Sequence, residues 1–154
     1  MATFDPAKVP FIYRFLFLYF EPFAALSGSA LLHFLPQPFL TTMSEATTYS
    51  ASHQVLYDML AATYVLFAFN EAVVLRATND LTVWKAVLCG ILLCDSIHLY
   101  ASWAALGGDV FWNPTVWRME DAVNLGSLWI QGAIRVAFLY EIGFPRGSGK
   151  GKRS

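Results

Sequence analysis

Residues Phe11 to Leu35 read FIYRFLFLYFEPFAALSGSALLHFL, an apolar run with Arg14, Glu21 and Pro22 inside it. About 20 residues at a rise of 1.5 Å each cross the hydrocarbon of a bilayer, so this run is long enough to span it as a helix. A carboxylate near the centre of a span costs about 2.5–3.5 kcal/mol, whereas each Leu, Ile, Phe or Val contributes about 0.3–0.6 kcal/mol in favour. Ten or so such side chains therefore carry one or two acids into the membrane. Three further segments of similar length follow, about Gln54 to Arg76, Leu81 to Leu106 and Met119 to Phe144. Pro36 to His53, the tight turn Ala77-Thr78-Asn79-Asp80, and Gly107-Gly108-Asp109 through Asn113-Pro114 read as the loops between them. The sequence thus predicts an all-α, polytopic membrane protein. Residues 1–144 form a single four-helix transmembrane bundle, and residues 145–154 a basic tail.

Composition agrees. Of 154 residues, 56% are hydrophobic, 16% aromatic and only 14% charged, against roughly a quarter charged in soluble domains. Too few polar side chains remain to cover a water-soluble globule. The net charge of -1 leaves no basic face for phosphates, which argues against a nucleic-acid partner. Cys89 and Cys94 lie in one apolar segment. On a helix they point about 140° apart, so they read as small buried hydrophobes rather than a disulfide. Ala25 to Ala30 has the small residues of a signal-peptide cleavage site, but Glu21 and Pro22 interrupt the apolar run before it and the run continues past it. A spanning helix is expected instead.

Lys8 and Arg14, then Arg76 and Lys85, then Arg146, Lys150, Lys152 and Arg153 fall on one side of a four-span chain, and the opposite loops offer only Arg118. The positive-inside rule places both termini in the cytoplasm. The ending Lys150-Gly151-Lys152-Arg153-Ser154 has the form of a cytosolic dilysine retrieval signal, which points to the endoplasmic reticulum.

Charges that insertion should exclude are where function is to be sought. On the first helix Arg14 and Glu21 share a face by heptad spacing, continued through Ala24 or Ala25 to Gly28. Pro22 has no amide hydrogen, so the Leu18 carbonyl should lose its partner and the helix should kink. Tyr57, Tyr64 and Glu71 line a stripe on the second helix, with Asn70 alongside. Glu71 is also close enough to Arg76 for an edge pair, and Asp58 close enough to the helix end to reach the interface. On the third helix Asp95 and His98 share a face, where a carboxylate can orient an imidazole. The fourth carries Asp121, Asn124, Leu128, Gln131 and Arg135 on one stripe, which lipid would not tolerate. That stripe must face the interior, with Glu21, Glu71 and Asp95 as candidate partners of Arg135.

Helix directions together give a cavity with carboxyls at several depths, one guanidinium and one imidazole, rimmed by Tyr and Trp. An unpaired carboxyl in a low dielectric keeps its proton, while one beside Arg135 stays ionised, so the same cavity holds an acid and a base. Glu21, Glu71, Asp95, His98, Asp121 and Arg135 are the candidate catalytic residues. Tyr64, Asn70, Trp103, Asn124 and Gln131 are the candidate substrate contacts. Such a pair suits epoxide opening, in which one group protonates the departing oxygen and another activates water or an internal hydroxyl. It also suits double-bond isomerisation or polyene cyclisation, where aromatic faces stabilise a developing cation. A di-iron bundle needs two Glu-x-x-His units and this chain has one Asp-x-x-His, so no metal is expected. No Gly-rich nucleotide loop is present either, and no cofactor is expected.

The combination of Phe17-Leu18-Tyr19-Phe20-Glu21-Pro22, Asn70-Glu71, Asp95-Ser96-Ile97-His98 and Asn113-Pro114 resembles small fungal integral-membrane proteins of polyketide and meroterpenoid gene clusters. Among these it is most similar to the epoxide-opening hydrolases of aurovertin- and citreoviridin-type pathways. The resemblance covers roughly Pro10 to Phe144. It implies a membrane hydrolase or cyclase of mycotoxin biosynthesis that acts after a flavin monooxygenase, opening polyene epoxides to form oxygen heterocycles. A more distant likeness is to the emopamil-binding, sterol-isomerase group, which implies an isomerase. A different class of reading is a non-catalytic adaptor or small transporter whose buried charges only pair helices. A packed core without a cavity beside Asp95 and Arg135 would favour it.

Overall fold

The structure, a computed structural model, describes residues 5–145; the basic tail with Lys150 to Ser154 lies outside the described residues. Its main helices are α1 (Phe11–Phe34), a short α2 (Pro36–Met43), α3 (Ala51–Ala77), α4 (Leu81–Leu106) and α5 (Met119–Leu139). All except α2 are long and apolar enough to cross a membrane. No strand occurs among the described residues. This is the all-α, multi-pass membrane architecture that the apolar runs predict.

Local chemistry sets the helix starts. After the Ala77 to Asp80 turn, Asp80 Oδ1 accepts the Thr82 amide at 2.7 Å and caps α4. Ahead of α5, the Asp121 carboxylate accepts from the Arg118 amide and Nε at 3.0 Å and from Nη2 at 2.7 Å. Those bonds hold the Arg118 guanidinium above its ordinary pKa.

The stretch Pro36 to His53, expected to be loop, contains α2. Pro36 occupies the first helical position, where a missing N–H costs nothing and the fixed φ is already helical. Phe39 and Leu40 are buried, the Thr41 carbonyl accepts from Arg118 Nη2 at 3.3 Å, and Met43 Sδ accepts from Asn124 Nδ2 at 3.8 Å. α2 is thereby tied to the start of α5.

α1 lies along α3, and α4 along α5. Apolar clusters close the bundle at both ends. At the end that carries the termini, Tyr13, Phe17, Trp84 and Phe138 pack together with Val9 and Leu75. Trp84 stacks on Phe138 at 5.8 Å, Phe17 meets Phe138 edge-on at 5.6 Å, and Tyr13 donates to the Ile142 carbonyl at 2.9 Å. At the far end Leu32, Phe39 and Ala61 pack with Tyr57, Tyr64 and Met43.

Between these clusters the usual partition is inverted. Phe11, Phe23, Ile97, Val123 and Ile130 are exposed, while Glu21, Glu71 and Arg135 are buried. A membrane chain has this distribution, because lipid solvates the apolar exterior and the charges must find one another inside.

Candidate functional site

The site begins with a defect that Pro22 creates. Without an amide hydrogen Pro22 cannot bond the Leu18 carbonyl, and α1 widens into a π-helical turn over Leu16–Phe20, closed by the Glu21 amide on the Leu16 carbonyl. A second π turn, Asn70–Val74, interrupts α3 around Glu71 and packs against the first. Arg76 joins the two. Its Nη2 donates to the Leu18 carbonyl at 2.6 Å, its Nη1 to the Ala72 carbonyl, and its guanidinium lies 4.6 Å from the centre of the Tyr19 ring. Arg76 therefore does not pair with Glu71, as the sequence left open; it serves the carbonyl that proline orphans.

Both wide turns deliver a carboxyl inward. Side chains lean toward the N-terminus of their own helix. Glu21 on α1 and Asp95 on α4 thus lean toward the terminal end, and Glu71 on α3 and Arg135 on α5 toward the far end. They converge. Arg135 Nη2 donates to Glu21 Oε2 and Nη1 to Asp95 Oδ2, while Glu71 Oε1 lies 3.6 Å from Nη2, beyond a hydrogen bond. Glu21, Glu71 and Arg135 are 4%, 2% and 3% exposed. Three carboxyls around one guanidinium reach neutrality only when two of them carry protons. A buried cluster tolerates little uncompensated charge.

Several polar atoms in this cluster are left over. Glu21 Oε1, Glu71 Oε1 and Arg135 Nε are buried with no hydrogen-bond partner among the described residues. The three residues line a cavity of about 480 Å³ walled by α1, α2, α3, α4 and α5. Of the residues singled out in the sequence, Glu21, Tyr64, Glu71, Asp95, His98, Asn124, Gln131 and Arg135 line this cavity. The structure brings Arg135 to all three of its candidate acids.

Other placements differ from the expectation. Asp95 is engaged by Arg135 rather than by His98, and the His98 ring makes no hydrogen bond with any described residue, although it lines the same cavity. Glu21 pairs with Arg135 and not with Arg14, whose Nε is buried without a hydrogen-bond partner among the described residues. Asp121 stands outside the cavity wall, where it closes the start of α5 with Arg118. Asn70 opens the second π turn and is absent from the wall. Trp103 lies in a separate aromatic hollow with Tyr100, Phe111, Trp112 and Trp129. Asp58 takes His33 Nδ1 at 2.9 Å and Gln54 Nε2 at 2.8 Å near the far end.

Phe39, Thr42 and Met43 of α2, together with Ser127, also line the cavity and were not anticipated as site residues. The three on α2 were hidden in a stretch that reads as loop. Ser127 follows Asn124 by one turn, and that spacing alone could have placed it beside the polar stripe. Among the described residues, no group of three or more His, Cys, Asp or Glu side chains is arranged to hold a metal ion.

A family described as "Domain of unknown function (DUF7704)" matches residues 6–145. Neither a curated protein nor a solved structure matches the chain.

Proposed function

The chain belongs to the DUF7704 family, and we propose that it is a membrane-embedded hydrolase or cyclase that opens the epoxides of lipid-soluble polyenes by general acid/base catalysis. The observation that carries this reading is the cluster itself. One guanidinium is shared by Glu21 and Asp95, the carboxyl of Glu71 lies 3.6 Å from it, and both glutamates line the cavity. The resemblance suggests the substrate class, and the geometry is compatible with acid/base chemistry.

Glu71, which makes no hydrogen bond to Arg135, is the acid. Its proton passes to the epoxide oxygen as the carbon–oxygen bond breaks. A water molecule, or a hydroxyl elsewhere on the same chain, attacks the carbon and gives its proton to Glu21. Glu21 then returns a proton to Glu71, so the enzyme ends the cycle unchanged. Attack by water yields a diol; attack by an internal hydroxyl yields a cyclic ether and a new hydroxyl. Arg135 holds Glu21 aimed, and Asp95 holds the other edge of the guanidinium. The epoxide itself comes from an earlier oxidation, for which a flavin monooxygenase of the same pathway is the proposed partner. The cavity beside Asp95 and Arg135 supports a catalytic reading over an adaptor with a closed core. The basic residues support cytoplasmic termini and residence in the endoplasmic reticulum.

The test is purified protein given a linear polyene bis-epoxide in isotopically labelled water, in detergent and again in lipid. A labelled diol or an unlabelled cyclic ether is expected. Epoxide recovered unchanged under both conditions overturns the reading.

A further inference from the structure

The wall of the cavity is exposed along one seam. Every exposed residue of that wall belongs to α1 or α5, among them Phe23, Ala24 and Ser27 on α1 and Val123 and Ser127 on α5. None comes from α3 or α4. Near the terminal end the seam is closed by Phe17 against Phe138 and by the Glu21–Arg135 pair. Above that point Ala24, Ala25 and Ser27 on α1, set between the larger Phe23 and Leu31, are small and leave room in the seam. Both serines fold their hydroxyls back on their own helices, Ser27 to the Phe23 carbonyl and Ser127 to the Asn124 carbonyl, each at 2.9 Å. Their polar groups are satisfied, so the seam suits contact with hydrocarbon.

Within the seam, α5 presents Asn124, Gln131 and Arg135 along one wall. At 1.5 Å per residue they stand about 10 Å and 6 Å apart. Gln131 makes no side-chain hydrogen bond to any described residue, and Arg135 Nε is buried without one. The opposite wall, on α1, is mainly apolar. From Val123 to Arg135 the slot runs about 18 Å.

We propose that the α1–α5 seam is a lateral portal from the bilayer, and that it admits an elongated, lipid-soluble chain bearing oxygen functions along one edge. The chain lies parallel to α5 with its oxygens toward Gln131 and Arg135, and its apolar edge against Ala24 and Ala25. A plain hydrocarbon would leave the α5 ladder unanswered, and a short polar molecule would not bridge it. This deepens the proposed epoxide chemistry, on which the choice of a reactive oxygen rests, but the portal is testable without any reaction.

The experiment uses the full chain in lipid nanodiscs and cis-parinaryl alcohol, a linear conjugated tetraene whose fluorescence is read as the excess over protein-free nanodiscs of the same lipid. The corresponding tetraene hydrocarbon serves as the comparison. Ser127→Phe and Ala24→Phe narrow the seam, and Ile130→Phe adds the same ring to an exposed position of α5 off the cavity wall. Both seam variants should weaken binding of the alcohol by about tenfold or more, and Ile130→Phe should leave it within about twofold. The alcohol should bind more tightly than the hydrocarbon. Unchanged affinity in the two seam variants, equal binding of both probes, or no binding by the wild type overturns the proposal. Binding lost at the seam in a protein that leaves epoxides intact upholds the portal and removes the chemistry. Turnover undiminished by both seam substitutions upholds the chemistry and removes the portal.

Discussion

Arg76 Nη2 donates to the main-chain carbonyl of Leu18 at 2.6 Å. The acceptor is the one that Pro22 cannot serve, so a side chain from α3 completes the hydrogen bonding of α1 at the point where Glu21 turns into the cavity. In hydrocarbon no water can substitute for that donor. The relationship makes the position of the first catalytic candidate dependent on a residue of another helix.

Removing the donor should therefore cost more while the proline is present. Arg76→Leu is expected to destabilise the fold by about 1–3 kcal/mol, the cost of leaving a main-chain carbonyl without a donor. In a Pro22→Ala background the restored amide can take the Leu18 carbonyl, and the same substitution should cost about 1 kcal/mol less. Thermal melting of the wild type, both single variants and the double variant measures the coupling. Strictly additive losses would show that Arg76 acts elsewhere.

How far the sequence discloses this site depends on where the helices stay regular. The spans are legible because hydropathy needs no phase. The stripe Asn124, Gln131, Arg135 is legible because α5 is an unbroken α-helix from Met119 to Leu139. The shared face of Arg14 and Glu21 fails for a physical reason: the π turn Leu16–Phe20 lies between them and rotates Glu21 away from the face that heptad spacing assigns. Pro22 announces the defect, but not that α3 carries a matching one, since Asn70 to Val74 contains no proline or glycine to signal it. Asp121 is misleading in the opposite sense. Its spacing fits the stripe, but an acid in the first helical turn beside Arg118 is also a helix-start signal, and the structure shows that arrangement.

That distinction gives a second expectation. Asp121→Ala should lower stability by about 0.5–2 kcal/mol through the lost cap, while turnover per folded molecule stays within about twofold of wild type, as a residue off the cavity wall requires. Activity normalised to the folded fraction decides it. A large loss of normalised activity would put Asp121 back in the chemistry.

Gly28 offers a packing test close to the portal. A Cβ built there would lie 3.1 Å from two ring atoms of Tyr64, so the ring must yield by a few tenths of an ångström before α1 and α3 can keep their spacing. Gly28→Ala is expected to be close to neutral if the ring moves, whereas Gly28→Leu should cost about 1–3 kcal/mol through overpacking. Melting temperatures of the two variants, measured in the same lipid, test this. Equal stability of Gly28→Leu and wild type would mean that the helices separate freely at this level.

The ionic cluster separates structural from catalytic roles by the order of its losses. Arg135→Gln leaves three carboxyls without their cation and should destabilise the fold by about 3–5 kcal/mol, the usual penalty for removing one partner of a buried pair. Glu71→Gln keeps the shape, removes a group that makes no hydrogen bond to Arg135, and should change stability by less than about 1 kcal/mol. If Glu71 is the acid, the same substitution lowers epoxide turnover by about 100- to 10,000-fold. Melting and turnover of the two variants should then rank in opposite directions relative to their folded fractions: Arg135→Gln impaired first in stability, Glu71→Gln in rate alone. A Glu71→Gln variant that turns over like wild type would take the acid role away from Glu71, and one that fails to fold would make the carboxyl a structural member of the cluster.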